Sequence, residues 1–169
     1  MHSFARAYAG HLPLTAEAVE PEPQGQGHFP SVAALKQFAL AGNATLTVRS
    51  LKTGAHFTYN IRQAEKTEAN PNPAWFVRVL GDGDRWVYLG MLREPTAPLL
   101  LTKASKANAD SPSVRAFTFT WAHLQTGRLP EQLEVRHDGH CGRCSRTLTN
   151  PDSLDLGIGP DCAEKMGLR

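Results

Sequence analysis

Two consecutive stretches of this chain alternate apolar and polar side chains around a short turn, and a period of two dictates an antiparallel sheet. In "NATLTVRSLKTGAHFTYNI", Leu46 and Val48 alternate with Thr and Arg, the chain turns at "KTG", and Phe57, Tyr59 and Ile61 resume the pattern. In "PAWFVRVLGDGDRWVYLGML", Trp75, Val77 and Val79 oppose Phe76, Arg78 and Leu80, and Trp86 to Met91 return after "GDGD". The apolar run "PLLLTKAS" reads as a fifth strand. Two helices flank these strands. "SVAALKQFALAGN" has Ser31 as N-cap, Val32, Leu35, Phe38 and Ala39 on one face, and Gly42 as a stop. "SPSVRAFTFTWAHLQTGRLP" starts on a Ser-Pro signal and ends at Gly127, with Val114, Phe117, Trp121 and Leu124 at helical spacing despite the strand-favouring "FTFTW". The expected class is α+β: a small antiparallel sheet with one or two packed helices over residues 31–130, followed by a small C-terminal knuckle-plus-helix module.

With 169 residues, 41% of them hydrophobic, the chain can bury one modest core plus a small satellite module, here residues 131–169. Residues 1–30 carry "EPEPQGQG", too poor in apolar surface to offset the entropy of ordering, and read as a disordered arm. The net charge of +2 lacks the strongly basic footprint of an obligate duplex binder. Neither a secretory signal nor a membrane-length apolar run is apparent, so the expected compartment is the cytoplasm, with no membrane partner.

Thiols stay reduced there, so an odd number of cysteines in one segment points to metal before disulfide. Cys141 and Cys144 form "CGRC", the spacing at which a tight knuckle turns two sulfurs toward one ion. Cys162 follows "GIGP", where Pro160 suits the first turn of a helix; the positive end of that helix favours the thiolate. The fourth position has four candidates: His137, His140, Asp161 and an outside ligand such as water. His140 adjoins Cys141 and Asp161 adjoins Cys162, and adjacent side chains diverge. His137 stands in "HDGHC", where Gly139 lets the imidazole fold back. The expected centre is therefore Zn2+ held by His137, Cys141, Cys144 and Cys162.

The segment "CGRCSRTLTNPDSLDLGIGPDCAEK" resembles a family of small proteins and domain tails, common in phages, prophages and actinobacterial genomes, with the signature CGRCGRxLTxPxSxxxGxGPxC. The likeness covers roughly residues 135–165 and departs at Ser145, where the family usually has glycine. The "GNATLTV", "WFVRVL", "YLG" and "LTKAS" stretches resemble phage-borne relatives more weakly. What the resemblance implies is a zinc-binding module of a phage-like protein, with no established activity.

Three thiolates and a histidine leave a zinc ion no open position for catalysis. The deaminase signature, G-x-S-x-G, the P-loop and H-E-x-x-H are all missing, so the expected function is non-catalytic. Nucleic acid is the first partner to consider, because Arg143 and Arg146 sit in and beside the knuckle. Lys103, Lys106 and Arg115 form a second basic group. Trp86, beside its turn, is the candidate for stacking on an unpaired base, although most aromatics serve the core. Asp138, Asp152, Asp155, Asp161 and Glu164 bring the cysteine segment close to neutral. The alternative is a protein-interaction module that binds a host protein through a sheet edge or the arm.

Overall fold

The computed structural model describes residues 27–168; the arm expected over residues 1–30 therefore lies largely outside the described residues. Helix α1 (Val32–Ala39) opens where the Ser31 side chain accepts the Ala34 N–H at 3.1 Å, and it buries Ala34, Leu35, Phe38 and Ala39. Strands β1 (Asn43–Ser50), β2 (His56–Gln63), β3 (Trp75–Leu80) and β4 (Trp86–Leu92) form the two expected hairpins. Helix α2 (Pro112–Thr126) ends on Gly127 at φ 74°, a left-handed cap that suits glycine. Strand β5 (Leu133–His137) and helices α3 (Pro151–Leu156) and α4 (Pro160–Lys165) complete the order.

All strand pairs are antiparallel, in the order β4-β3-β2-β1-β5. Paired residues share a face of a pleated sheet. On one face Ala44, Leu46 and Val48 pair with Ile61, Tyr59 and Phe57, and the pattern runs on into Val77 and Val79. Helix α2 packs over this face: Phe117 meets the Tyr59 ring edge-on at 5.2 Å, and the Tyr59 hydroxyl donates to the Ser113 carbonyl at 2.6 Å. Its own backbone spacing aligns Val114, Phe117, Trp121 and Leu124 in the core, so packing overrides the strand preference of "FTFTW".

"PLLLTKAS" is not a strand. Leu100 makes one antiparallel bridge to Met91, and the chain then turns, with Ser105 N–H donating to the Thr102 carbonyl. The fifth strand is instead Leu133–His137, which pairs with β1 at the far edge. This placement also means that the boundary expected near residue 131 does not divide the molecule into two cores. Cys141, Leu148, Ile158, Cys162 and Ala163 belong to the same buried cluster as Phe38, Tyr59 and Trp121. At the β5 edge His28 bridges Arg136, and Gly27 accepts the His137 N–H at 2.9 Å. No helix of the described residues is long and apolar enough to cross a membrane.

Candidate functional site

The segment after β5 folds back on itself as a small hairpin. His140 bridges Thr147, the Cys141 N–H donates to the Arg146 carbonyl at 2.8 Å, and Ser145 takes the left-handed conformation at φ 61° that closes the turn. A residue without a side chain is the usual occupant of such a position. Asn150 caps α3 by accepting the Asp152 N–H at 2.9 Å, Gly157 reverses the chain, and α4 carries Cys162 in its first turn as its Pro160 start implies.

This path brings the sulfurs of Cys141, Cys144 and Cys162 within 4.8 Å of one another, a set that can hold a metal ion. Ligands about 2.3 Å from a tetrahedral ion stand about 3.8 Å apart, so small side-chain rotations suffice to close the site. Burial raises the pKa of Cys141, but N–H groups of Gly159, Cys144 and Arg143 aimed at its sulfur outweigh that cost and hold the thiol below its ordinary value. The helix-start argument fails for Cys162. Burial, together with the neighbouring sulfurs of Cys144 and Cys141, pushes it up to about 12, because three adjacent thiolates repel unless a cation joins them.

His137 does not join the sulfurs. It is the last residue of β5, paired with Leu46 on the covered face, and only 6% exposed. Its Nδ1 accepts the Gly139 N–H at 3.0 Å, which leaves Nε2 to donate to the Leu154 carbonyl at 2.7 Å. Phe29 meets it edge-on at 5.2 Å and Phe38 at a tilt at 5.5 Å. The residue expected as a ligand is thus a core histidine that pins α3 to the sheet. His140 is exposed and faces Asp138 at 3.2 Å, and Asp161 faces Arg146 at 3.9 Å with both side chains largely in solvent.

Burial lowers the pKa of His137, partly offset by its bond to Leu154, so the folded protein disfavours the charged ring. Between that lowered value and the unfolded value near 6.5 the unfolded chain binds more protons, and stability is lost as pH falls through this window, by up to about 1.4 kcal/mol per pH unit. His137→Asn should keep the Gly139 bond, cost about 1–3 kcal/mol at pH 7.5 and flatten this slope. Urea titrations of both proteins at pH 7.5 and 5.5 check it; parallel slopes would show that another group carries the dependence.

A cleft of about 330 Å³ opens beside the sulfurs, lined by Thr147, Asn150, Ser153, Asp161 and Lys165 among others. The Ser153 hydroxyl, 2% exposed, has no hydrogen-bond partner there.

The basic groups expected to contact nucleic acid are carried by three separate elements. Arg143 and Arg146 are exposed on the knuckle, Lys103 and Lys106 on the loop before α2, and Arg115 on α2 itself, in the helix layer. Trp86 alone lies on the uncovered face of the sheet, with the Arg78 guanidinium 5.4 Å from its ring; Trp75 and Trp121 are core. Arg49, Arg62 and Arg136, which share that uncovered face, were not singled out by sequence. Their strand parity was the available signal, but parity becomes informative only once the covered face is known.

A groove of about 830 Å³ between the sheet end and α2 is lined by Phe57, Leu101, Val114 and Phe119, the last 47% exposed.

No curated protein and no solved structure matches this chain. Residues 131–167, the span from β5 through α4, match the model of a family of unknown function, DUF6011.

Proposed function

We propose that this chain is a non-catalytic zinc protein whose partner is nucleic acid. The observation that carries the metal assignment is the convergence of Cys141, Cys144 and Cys162. Thiolate donors in a tetrahedral set suit zinc among the common ions, and Cys141 already receives the backbone N–H bonds that support a thiolate. The fourth position belongs to water or a small anion in the cleft, where the unpartnered Ser153 hydroxyl would bond to it. A zinc deaminase with three sulfur ligands needs a glutamate over the metal-bound water. Among the described residues the carboxylate lining this cleft is Asp161, turned to solvent beside Arg146.

Freshly purified protein should hold about one zinc per chain, because three converged thiolates bind the ion tightly. Cobalt-loaded protein should give thiolate-to-metal charge-transfer absorption that Cys144→Ser reduces by about one third, since each thiolate contributes separately. His137→Asn should leave that spectrum unchanged. Loss of the bands in the His137 variant would return the imidazole to the ligand set, and metal-free native protein would end the zinc assignment.

A second reading, a protein partner, is favoured by the apolar groove beside Phe119. Nucleic acid stands ahead because the uncovered sheet face carries four arginines, Arg49, Arg62, Arg78 and Arg136, together with exposed rings.

A further inference from the structure

Strand pairing defines what the uncovered sheet face displays. One row runs Asn43, Arg62, Phe76 and Met91 across the four strands β1 to β4. The next runs Thr45, Asn60, Arg78 and Tyr88, the β3–β4 pair shifted there by an irregularity between Val77 and Arg78. A third joins Arg136 to Thr47 and Thr58, and Leu80 faces Trp86 at the outer hairpin. The last joins Glu134 to Arg49 and His56.

Three properties of this face narrow its occupant. Its charge is one-sided: four arginines stand against a single carboxylate, Glu134, which Arg136 already engages at 2.6 Å. Its rings gather at the β3–β4 end, where Phe76 lies 6.3 Å from Tyr88 and Trp86 pairs with Leu80. Phe76 is 39%, Leu80 36% and Trp86 37% exposed, and the Arg78 guanidinium stands 5.4 Å from the Trp86 ring, so cation and rings are interleaved there. Its polar groups are preorganised, because the Arg78 guanidinium donates to Asn60 Oδ1 at 2.7 Å and the Asn60 amide donates to Asn43 Oδ1 at 3.0 Å. Asn43 in turn donates to the Ser145 hydroxyl on the knuckle at 2.8 Å.

A partner that meets this face must supply both negative charge for the arginines and flat surface for the rings. A duplex hides the flat faces of its bases, which exposed rings could otherwise stack upon; an unpaired strand offers both bases and phosphates. We infer that the uncovered sheet face binds single-stranded nucleic acid, its bases stacking on Phe76 and Trp86 and its phosphates meeting Arg49 and Arg62. This rests on the nucleic-acid reading above and moves the contact surface from the knuckle arginines to the sheet.

The test uses the full zinc-loaded chain and three fluorescent probes: a 12-nucleotide oligo-dT, an oligo-U of equal length and a 12-base-pair duplex. Anisotropy at low salt should show either single strand bound at least tenfold more tightly than the duplex. Arg49→Ala and Arg62→Ala, both at exposed positions, should each make the log–log salt slope shallower by about 0.7. Trp86→Ala should weaken binding about 5- to 100-fold with the slope unchanged, while Trp86→Phe keeps most of the affinity, since a stacking ring remains. Should single strands still bind in all these variants and fail in Arg143→Ala or Arg146→Ala, the strand lies on the knuckle, which overturns this inference and leaves nucleic acid as the partner. Equal affinity for the duplex overturns it likewise. No binding to any probe at low salt overturns both readings.

Discussion

Removing the metal should lower the melting temperature of the whole described chain by about 10–20 °C in a single transition, because zinc bound to a structural site is folding free energy. At a loss of at least about 5 kcal/mol, shifts of about 2–4 °C per kcal/mol for a chain of this size give that range. The transition should be single because the cysteine segment has no core of its own. Cys141, Ile158 and Cys162 are buried with the sheet, the Gly142 carbonyl accepts the Asn43 N–H at 2.7 Å, and the Gly142 N–H donates to the Gly157 carbonyl at 2.9 Å. Without a cation the Cys162 thiol would stay protonated, as its raised pKa indicates. Cys162→Ser should reproduce the effect of a chelator. Calorimetry that resolved a separate low-temperature transition, with the sheet melting as before, would show that residues 131–168 fold as an independent unit.

Phe38→Ala should cost about 3–5 kcal/mol and also weaken zinc binding by tenfold or more. Phe38 is fully buried at the last turn of α1 and forms the wedge between the helix layer and the knuckle. Its ring meets Phe29 at 5.1 Å and His137 at 5.5 Å. Gly142 and Gly157 present bare backbone to it: a Cβ on either would fall 2.7 or 2.5 Å from Phe38 Cδ2. Deleting the ring therefore removes packing and also the surface against which both loops carrying the site are seated. Gly142→Ala should err in the opposite direction, overfilling the same contact at a cost of about 1–3 kcal/mol. Phe119→Ala, at a solvent-facing ring, is the control. Denaturant midpoints and competition with a coloured chelator read both effects, and a Phe38 variant with native zinc affinity would show that the knuckle is seated by its own bonds.

The hairpins, α1, α2 and the start of α4 were legible in the sequence because each is specified by local chemistry: alternation, a Ser cap, a Ser-Pro start, a glycine stop. The joining of the three cysteines was legible for the same reason, since the knuckle and the helix start are short-range motifs. What was not legible depends on contacts distant in sequence. "PLLLTKAS" has a strand's composition, but its one bridge to Met91 is followed by a turn. Pairing of β5 with β1 joins residues about ninety positions apart. His137 was chosen for its proximity to Cys141, although Leu133, Val135 and His137 share one strand parity, which sets the imidazole on the covered face away from the sulfurs. Nor could alternation say that Phe76, Arg78 and Leu80 face away from the helices.

Both margins of the sheet are partly occupied by the protein's own backbone. Leu100 exchanges two hydrogen bonds with Met91 on β4, Lys106 donates to the Tyr88 carbonyl, and His28 and Gly27 engage Arg136 and His137 on β5. A sheet whose margins were bare would invite another chain to lengthen it, with self-association and amyloid-like stacking as the hazard. Here an incoming strand would first have to displace these covalently tethered segments, whose effective concentration is far above that of any free competitor. The molecule is thereby protected from edgewise polymerisation while its broad face stays accessible, and a host protein that recruits it by strand addition is disfavoured on the same ground.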